Sequence, residues 1–90
     1  MNVKDYKSLV ASFGCLICGD PAELHHPRDG QGGAQRASDW CVIPLCSVCH
    51  RTGDTYLKPG LHARPHDFYS KYRRTEMDMV GEVIERVMKT

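Results

Sequence analysis

Apolar positions are unevenly spaced along this chain, and their spacing divides it into short elements. The opening MNVKDYKSLVASFG has weak periodicity and reads as a short helix or irregular arm ending near Gly14. CLICGD follows as a knuckle, two cysteines around a tight turn with Gly19 relieving the backbone after the second. AELHH reads as a short strand ending at Pro27, and PRDGQGGAQRASD, glycine-bearing and almost without apolar bulk, as a long loop. WCVIPLC is aromatic and β-branched and predicts a second strand; Pro44 lacks a ladder N–H, so it belongs at an edge or at the exit from pairing. SVCHRTGDTYL reads as a short helix with Ser47 as N-cap, stopped by Lys58-Pro59-Gly60, although Gly53 weakens its interior by about 1 kcal/mol relative to alanine. After the loop GLHARPHD, one longer helix is predicted over 67–88. Val80, Ile84 and Val87 form its apolar stripe, and Phe68 and Tyr72 lie one turn apart further back.

The two short strands and the helices predict a small α+β fold, and 90 residues suit a single domain over 1–90. A dinucleotide-binding Rossmann unit and an eight-fold barrel need far more chain. The composition, 41% hydrophobic and 26% charged, reads as an ordered globule, yet two Phe and one Trp make a thin core. Something besides apolar burial is expected to hold the chain together.

Five cysteines supply that help. They stand at 15, 18, 41, 46 and 49, so two Cys-x2-Cys pairs form and Cys41 is left over as an ordinary small hydrophobe. Cys15, Cys18, Cys46 and Cys49 can close a tetrahedral zinc site, which is structural because four thiolates leave no open position. An odd cysteine count, no signal peptide and no run of 18 apolar residues speak against a disulfide scaffold and a membrane span, and for a reducing, cytoplasmic compartment.

The histidines form a second constellation. His25 and His26 are adjacent at a strand end, where alternate side chains point to opposite faces, so one can ligate a metal while the other faces a substrate. His50 and Asp54, at i and i+4, would share a helix face, with Cys49 about 100° round the axis. A divalent ion held by such groups binds a scissile phosphate while a nearby imidazole takes a proton from water, which is the chemistry of phosphodiester hydrolysis. Net charge is only +1, but Arg51, Lys58, Arg64, Lys71, Arg73 and Arg74 stand against Asp54 and Asp67 in one stretch. Arg28, Arg36, Arg51, Arg73 and Arg74 are the phosphate-contacting candidates.

C-x2-C, ELHHP, a glycine-bearing loop with Asp39, and IPLCSVCH together resemble the HNH endonucleases, also called ββα-metal or His-Me finger nucleases. Within them the chain is most similar to the zinc-containing phage and prophage branch that includes the Ref and YbcO proteins. The resemblance covers residues 15 to about 57. It implies a ββα-metal core with His26 as general base, His25 as strand-end metal ligand, and His50 and Asp54 completing the ion site. Asp39 takes the central position, usually Asn or His, and would hold the ring of His26. It further implies DNA as partner, Mg²⁺ or Mn²⁺ as the catalytic ion, a setting in phage recombination, replication or restriction beside proteins of those processes, and a bacterial or phage-infected host cell. Two departures stand out: no Asn occupies the central position, and Gly53 interrupts the turn meant to carry Asp54. The alternative is a zinc-stabilised DNA-binding or protein-interaction module without catalysis.

Overall fold

The computed structural model describes residues 1–28, 37–54 and 58–90. Helix α1 is Val3–Ser12. It begins because the Asn2 side chain accepts the Asp5 N–H at 2.8 Å, and the chain turns away at Gly14, whose φ of 79° suits glycine. A Cβ there would lie 2.9 Å from the Gly19 carbonyl, so the knuckle closes directly on it. The knuckle is pinned by Cys15 N–H to Asp20 O at 2.8 Å and Gly19 N–H to Cys15 O at 2.9 Å.

Strands β1 (Glu23–His25) and β2 (Ile43–Leu45) pair antiparallel, with Glu23 opposite Leu45, Leu24 opposite Pro44 and His25 opposite Ile43. A two-stranded sheet has only edges, so Pro44 is tolerated; its carbonyl accepts the Leu16 N–H at 3.1 Å. A 3₁₀ turn, Asp39–Cys41, leads into β2. Ile43 and Leu45 join Leu61, Phe68, Met79, Val80 and three of the cysteines in the larger core cluster. Val42 belongs to a second cluster with Tyr6, Val10 and Val83, which seats α1 against the last helix.

Helix α2 is shorter than its sequence suggests. It spans Ser47–His50, a single turn, and its N-cap is Cys46 rather than Ser47, with Cys46 Sγ accepting the Cys49 N–H at 3.4 Å. Gly53, at φ 78°, turns the chain out of the helix. The helix nevertheless continues in space by other residues. The N–H groups of Leu61, His62 and Ala63 donate to the carbonyls of Cys49, His50 and Arg51 at 2.9, 3.1 and 3.0 Å, the bonds residues 53 to 55 would make in an unbroken helix. The detour closes at two glycines: Gly53 bridges to Pro59, and Gly60 is packed against the backbone of Arg51 and Gly53.

The single helix expected over 67–88 is two helices, α3 (Pro65–Tyr72) and α4 (Glu76–Met88). Arg73 adopts the left-handed conformation at φ 53°, and a Thr75/Asp78 capping box restarts the helix, with reciprocal bonds of 3.1 and 2.9 Å. The break resets the buried face: Met79, Val80 and Val83 point inward, while Ile84, expected in the stripe, is 49% exposed. Phe68 and Tyr72 do meet, edge to face with ring centres 4.9 Å apart. No helix among the described residues is long and apolar enough to cross a membrane.

Candidate metal centres and the histidine–aspartate pair

Among the described residues two groups of side chains can hold an ion, and in each group the ligand atoms lie within 4.8 Å of one another. The first is Cys15, Cys18, Cys46 and Cys49, all free thiols. The knuckle supplies two sulfurs, and the N-cap and third residue of α2 supply the others. Cys18 Sγ stands 3.5 Å from Cys46 Sγ, and the N–H groups of Ile17 and Cys49 point at the sulfurs of Cys15 and Cys46 at 3.4 Å. Burial pushes the Cys49 thiol well up and Cys18 up to about 11, and the neighbouring sulfurs add to both. Burial also opposes ionisation of Cys15, but backbone N–H groups hold its thiol below the ordinary value. Four sulfurs this close can all ionise only around a cation, so the donor set fits zinc closed on four thiolates. Cys41 stays outside, half-buried against the larger core.

The second group is His25, His50 and His62. His25 ends β1, His50 ends α2, and His62 is brought beside His50 by the bond from its own N–H to the His50 carbonyl. His25 Nδ1 lies 3.0 Å from His50 Nε2 and 3.4 Å from His62 Nε2. The outer nitrogens of two rings are committed to carboxylates: His50 Nδ1 meets Glu23 Oε1 at 2.7 Å, and His25 Nε2 meets Glu76 Oε2. An imidazole that donates outward presents a lone pair inward. With both outer nitrogens donating, the inner nitrogens of His25 and His50 face each other, and a cation between them, a proton or a metal ion, would satisfy both. Burial lowers the pKa of both His50 and His62, with Glu23 opposing at His50 and the neighbouring His50 adding at His62, so neutral rings are favoured. Three imidazoles with carboxylates behind two of them form a donor set for zinc or a similar ion.

The position predicted for Asp54 is thus held by His62. Asp54 lies past the end of α2, is exposed, and donates its N–H to Lys58 O at 3.1 Å; it does not join His25 and His50. The physical cause is the Gly53 turn, which ends the helix one turn too early for an i+4 partner. His62 lies in the stretch whose sequence reads as a loop, although the second glycine at Gly60, two residues before a histidine, is a trace of the detour in the sequence. Glu23 and Glu76 were likewise unforeseen.

His26 and Asp39 do meet: His26 Nε2 lies 2.7 Å from Asp39 Oδ1, with both side chains partly exposed. Asp39 is held there by the 3₁₀ turn, where Ser38 Oγ accepts the Trp40 N–H at 3.1 Å. With Nε2–H given to Asp39, the lone pair of a neutral His26 sits on Nδ1.

The arginines divide. Arg51 grips Glu23 with two bonds of 2.9 Å, which, with the His50 contact, holds the Glu23 carboxyl down to about 2. Arg74 pairs with Glu82 at 3.2 Å, Arg73 is exposed at the corner between α3 and α4, and Arg36 lies outside the described residues. Arg28 lines a cleft of about 470 Å³ with His25, His62, His66, Tyr69 and Glu76.

The chain is therefore a small α+β protein with a four-cysteine cluster, a three-histidine cluster and a ββα-like arrangement of β1, β2 and α2. Compared with protein-family models, curated proteins and solved structures, it matches none of them.

Proposed function

We propose that this chain is a metal-dependent endonuclease of the HNH type, hydrolysing phosphodiester bonds in DNA, with residues 1–90 acting as one domain. The observation that carries the reading is the junction of two different sites at two adjacent residues. His25 belongs to a three-imidazole group fit for an ion, and His26, next along the chain, is paired with Asp39.

The ion would be held by His25, His50 and His62 and would supply charge neutralisation at a bound phosphate. Mg²⁺ and Mn²⁺ prefer oxygen donors, and Asp54 brings none to this group, so zinc or a similar late transition ion suits it better. Arg28, at the cleft beside His25 and His62, is the arginine best situated to pair with a neighbouring phosphate. His26 Nδ1 accepts a proton from the attacking water as its oxygen bonds to phosphorus and the P–O3′ bond breaks. Asp39 steadies the imidazolium that results, and the leaving 3′-oxygen takes its proton from solvent. Phage or bacterial DNA recombination is the setting we favour, on the sequence resemblance.

Incubating zinc-loaded protein with supercoiled plasmid should yield nicked or linear DNA. His26→Ala should lower the rate by roughly 10² to 10⁴. If wild-type protein binds DNA but cuts no duplex, branched or single-stranded substrate with Zn²⁺, Mn²⁺ or Mg²⁺, the catalytic reading fails.

A zinc-stabilised DNA-binding or protein-interaction module is the second reading, and the two ligand clusters support it more directly than they support catalysis. The cysteine cluster ties the knuckle to α2, and the histidine cluster ties β1 and α2 to the turn at 61–63; both links can serve folding alone. Its signature is metal-dependent stability without turnover.

A further inference from the structure

We infer that Glu76 is a positioning residue of the three-histidine centre: by accepting the Nε2–H of His25 it keeps Nδ1 bare toward His50 and His62, and makes α4 part of the site. The inference rests on the metal-binding reading of that group, and it concerns a residue 51 positions away from its partner.

His25 and Glu76 are 2% and 3% exposed. A carboxylate so deeply buried is costly unless several donors meet it. Glu76 has them: besides His25, the Arg28 N–H is shared between its two oxygens, at 3.1 Å to each. Starting α4 does not require this carboxylate, because the Thr75/Asp78 capping box already supplies the N-terminal bonds. What Glu76 adds is a choice of tautomer. A neutral His25 without an acceptor at Nε2 could place its proton on Nδ1, 3.0 Å from His50 Nε2. That proton would make a satisfied His–His hydrogen bond and fill the space where an ion would sit. An anionic acceptor at Nε2 removes this competitor and strengthens Nδ1 as a ligand.

Cobalt substitution separates the two clusters, since thiolate ligands give intense charge-transfer absorption and imidazole ligands only weak visible bands. Wild-type protein should take up two cobalt ions. Glu76→Gln preserves shape but removes the charge, and its amide nitrogen cannot accept from Arg28. Chelator competition should show roughly 10- to 100-fold weaker binding at the histidine site, with the cysteine site unchanged. Glu82→Gln, which removes a charge from the same helix at the residue paired with Arg74, should leave both affinities at wild-type values. Two ions bound with equal affinity in wild type and Glu76→Gln would overturn the role of Glu76 while the metal reading stood. A single, sulfur-bound ion in wild type would overturn both. Should Glu76→Gln fail to fold, ¹⁵N NMR of wild-type protein carrying zinc only on its cysteines still decides: a proton on Nε2 and a bare Nδ1 on His25 are expected, and a proton on Nδ1 refutes the inference.

Discussion

Replacing Gly60 by alanine tests the feature that most changes the site, the backbone detour that carries His62 to α2. A Cβ on Gly60 would stand 2.3 Å from the Arg51 carbonyl oxygen, 2.4 Å from Gly53 N and 2.6 Å from the Arg51 carbonyl carbon, where ordinary contact begins at 3.4 Å. All three neighbours are backbone atoms, so relief requires the strands of the detour to part by about 1 Å, an overpacking cost of roughly 1 to 3 kcal/mol. Parting them strains the bonds from Leu61 and His62 to Cys49 and His50, each worth about 0.5 to 1.5 kcal/mol. The expected loss is therefore about 2 to 4 kcal/mol in urea unfolding with the cysteine site zinc-saturated. Cobalt affinity at the histidine site should fall at least about tenfold, because an ion site tolerates only about 0.5 Å of ligand displacement. Gly81→Ala is the control: nothing lies within 4 Å of its would-be Cβ, and alanine in mid-helix should stabilise by about 0.5 to 1 kcal/mol. A Gly60→Ala protein with wild-type stability and wild-type cobalt affinity would refute the account of how residues 61–63 dock on α2.

Removing zinc with a strong chelator should unfold the chain, as judged by loss of the helical circular dichroism signal. Structural zinc is worth about 10 to 16 kcal/mol, comparable to the whole net stability of a domain; Cys49→Ser, which takes away a buried ligand, should behave the same way. Asp39→Asn should reduce plasmid cleavage while shifting the urea midpoint by no more than about 0.5 kcal/mol equivalent, since the pair is partly exposed; equal rates for Asp39→Asn and wild type would remove Asp39 from the site. In α4, Met79→Ala should cost about 2 to 5 kcal/mol and Ile84→Ala much less, because Met79 is fully buried and Ile84 half-exposed; denaturant titrations giving the reverse order would refute the phase of that helix.

The parts legible in the sequence are those written in local spacing. Each Cys-x2-Cys pair is closed by its own turn, one by the hydrogen-bonded knuckle at 15–20 and one by the single turn of α2, so the short spacing itself brings sulfurs together. The strands around His25 and Pro44 were likewise foreseeable from strand pattern, and His26 and Asp39, singled out in the sequence, do meet. The break between α3 and α4 was written in the sequence as the Thr75/Asp78 capping box, but apolar periodicity alone cannot register it. His62 and Glu76 were beyond any local pattern. His62 reaches the site because Gly53 and Gly60 let the backbone leave α2 and return to bond the same carbonyls, replacing an i+4 neighbour by one twelve residues on. Glu76 reaches His25 because α4 restarts at that point and packs Met79 and Val80 into the core beside β2. Both depend on hydrogen bonds and burial between segments distant in sequence, and a periodicity confined to neighbours carries no information about those contacts.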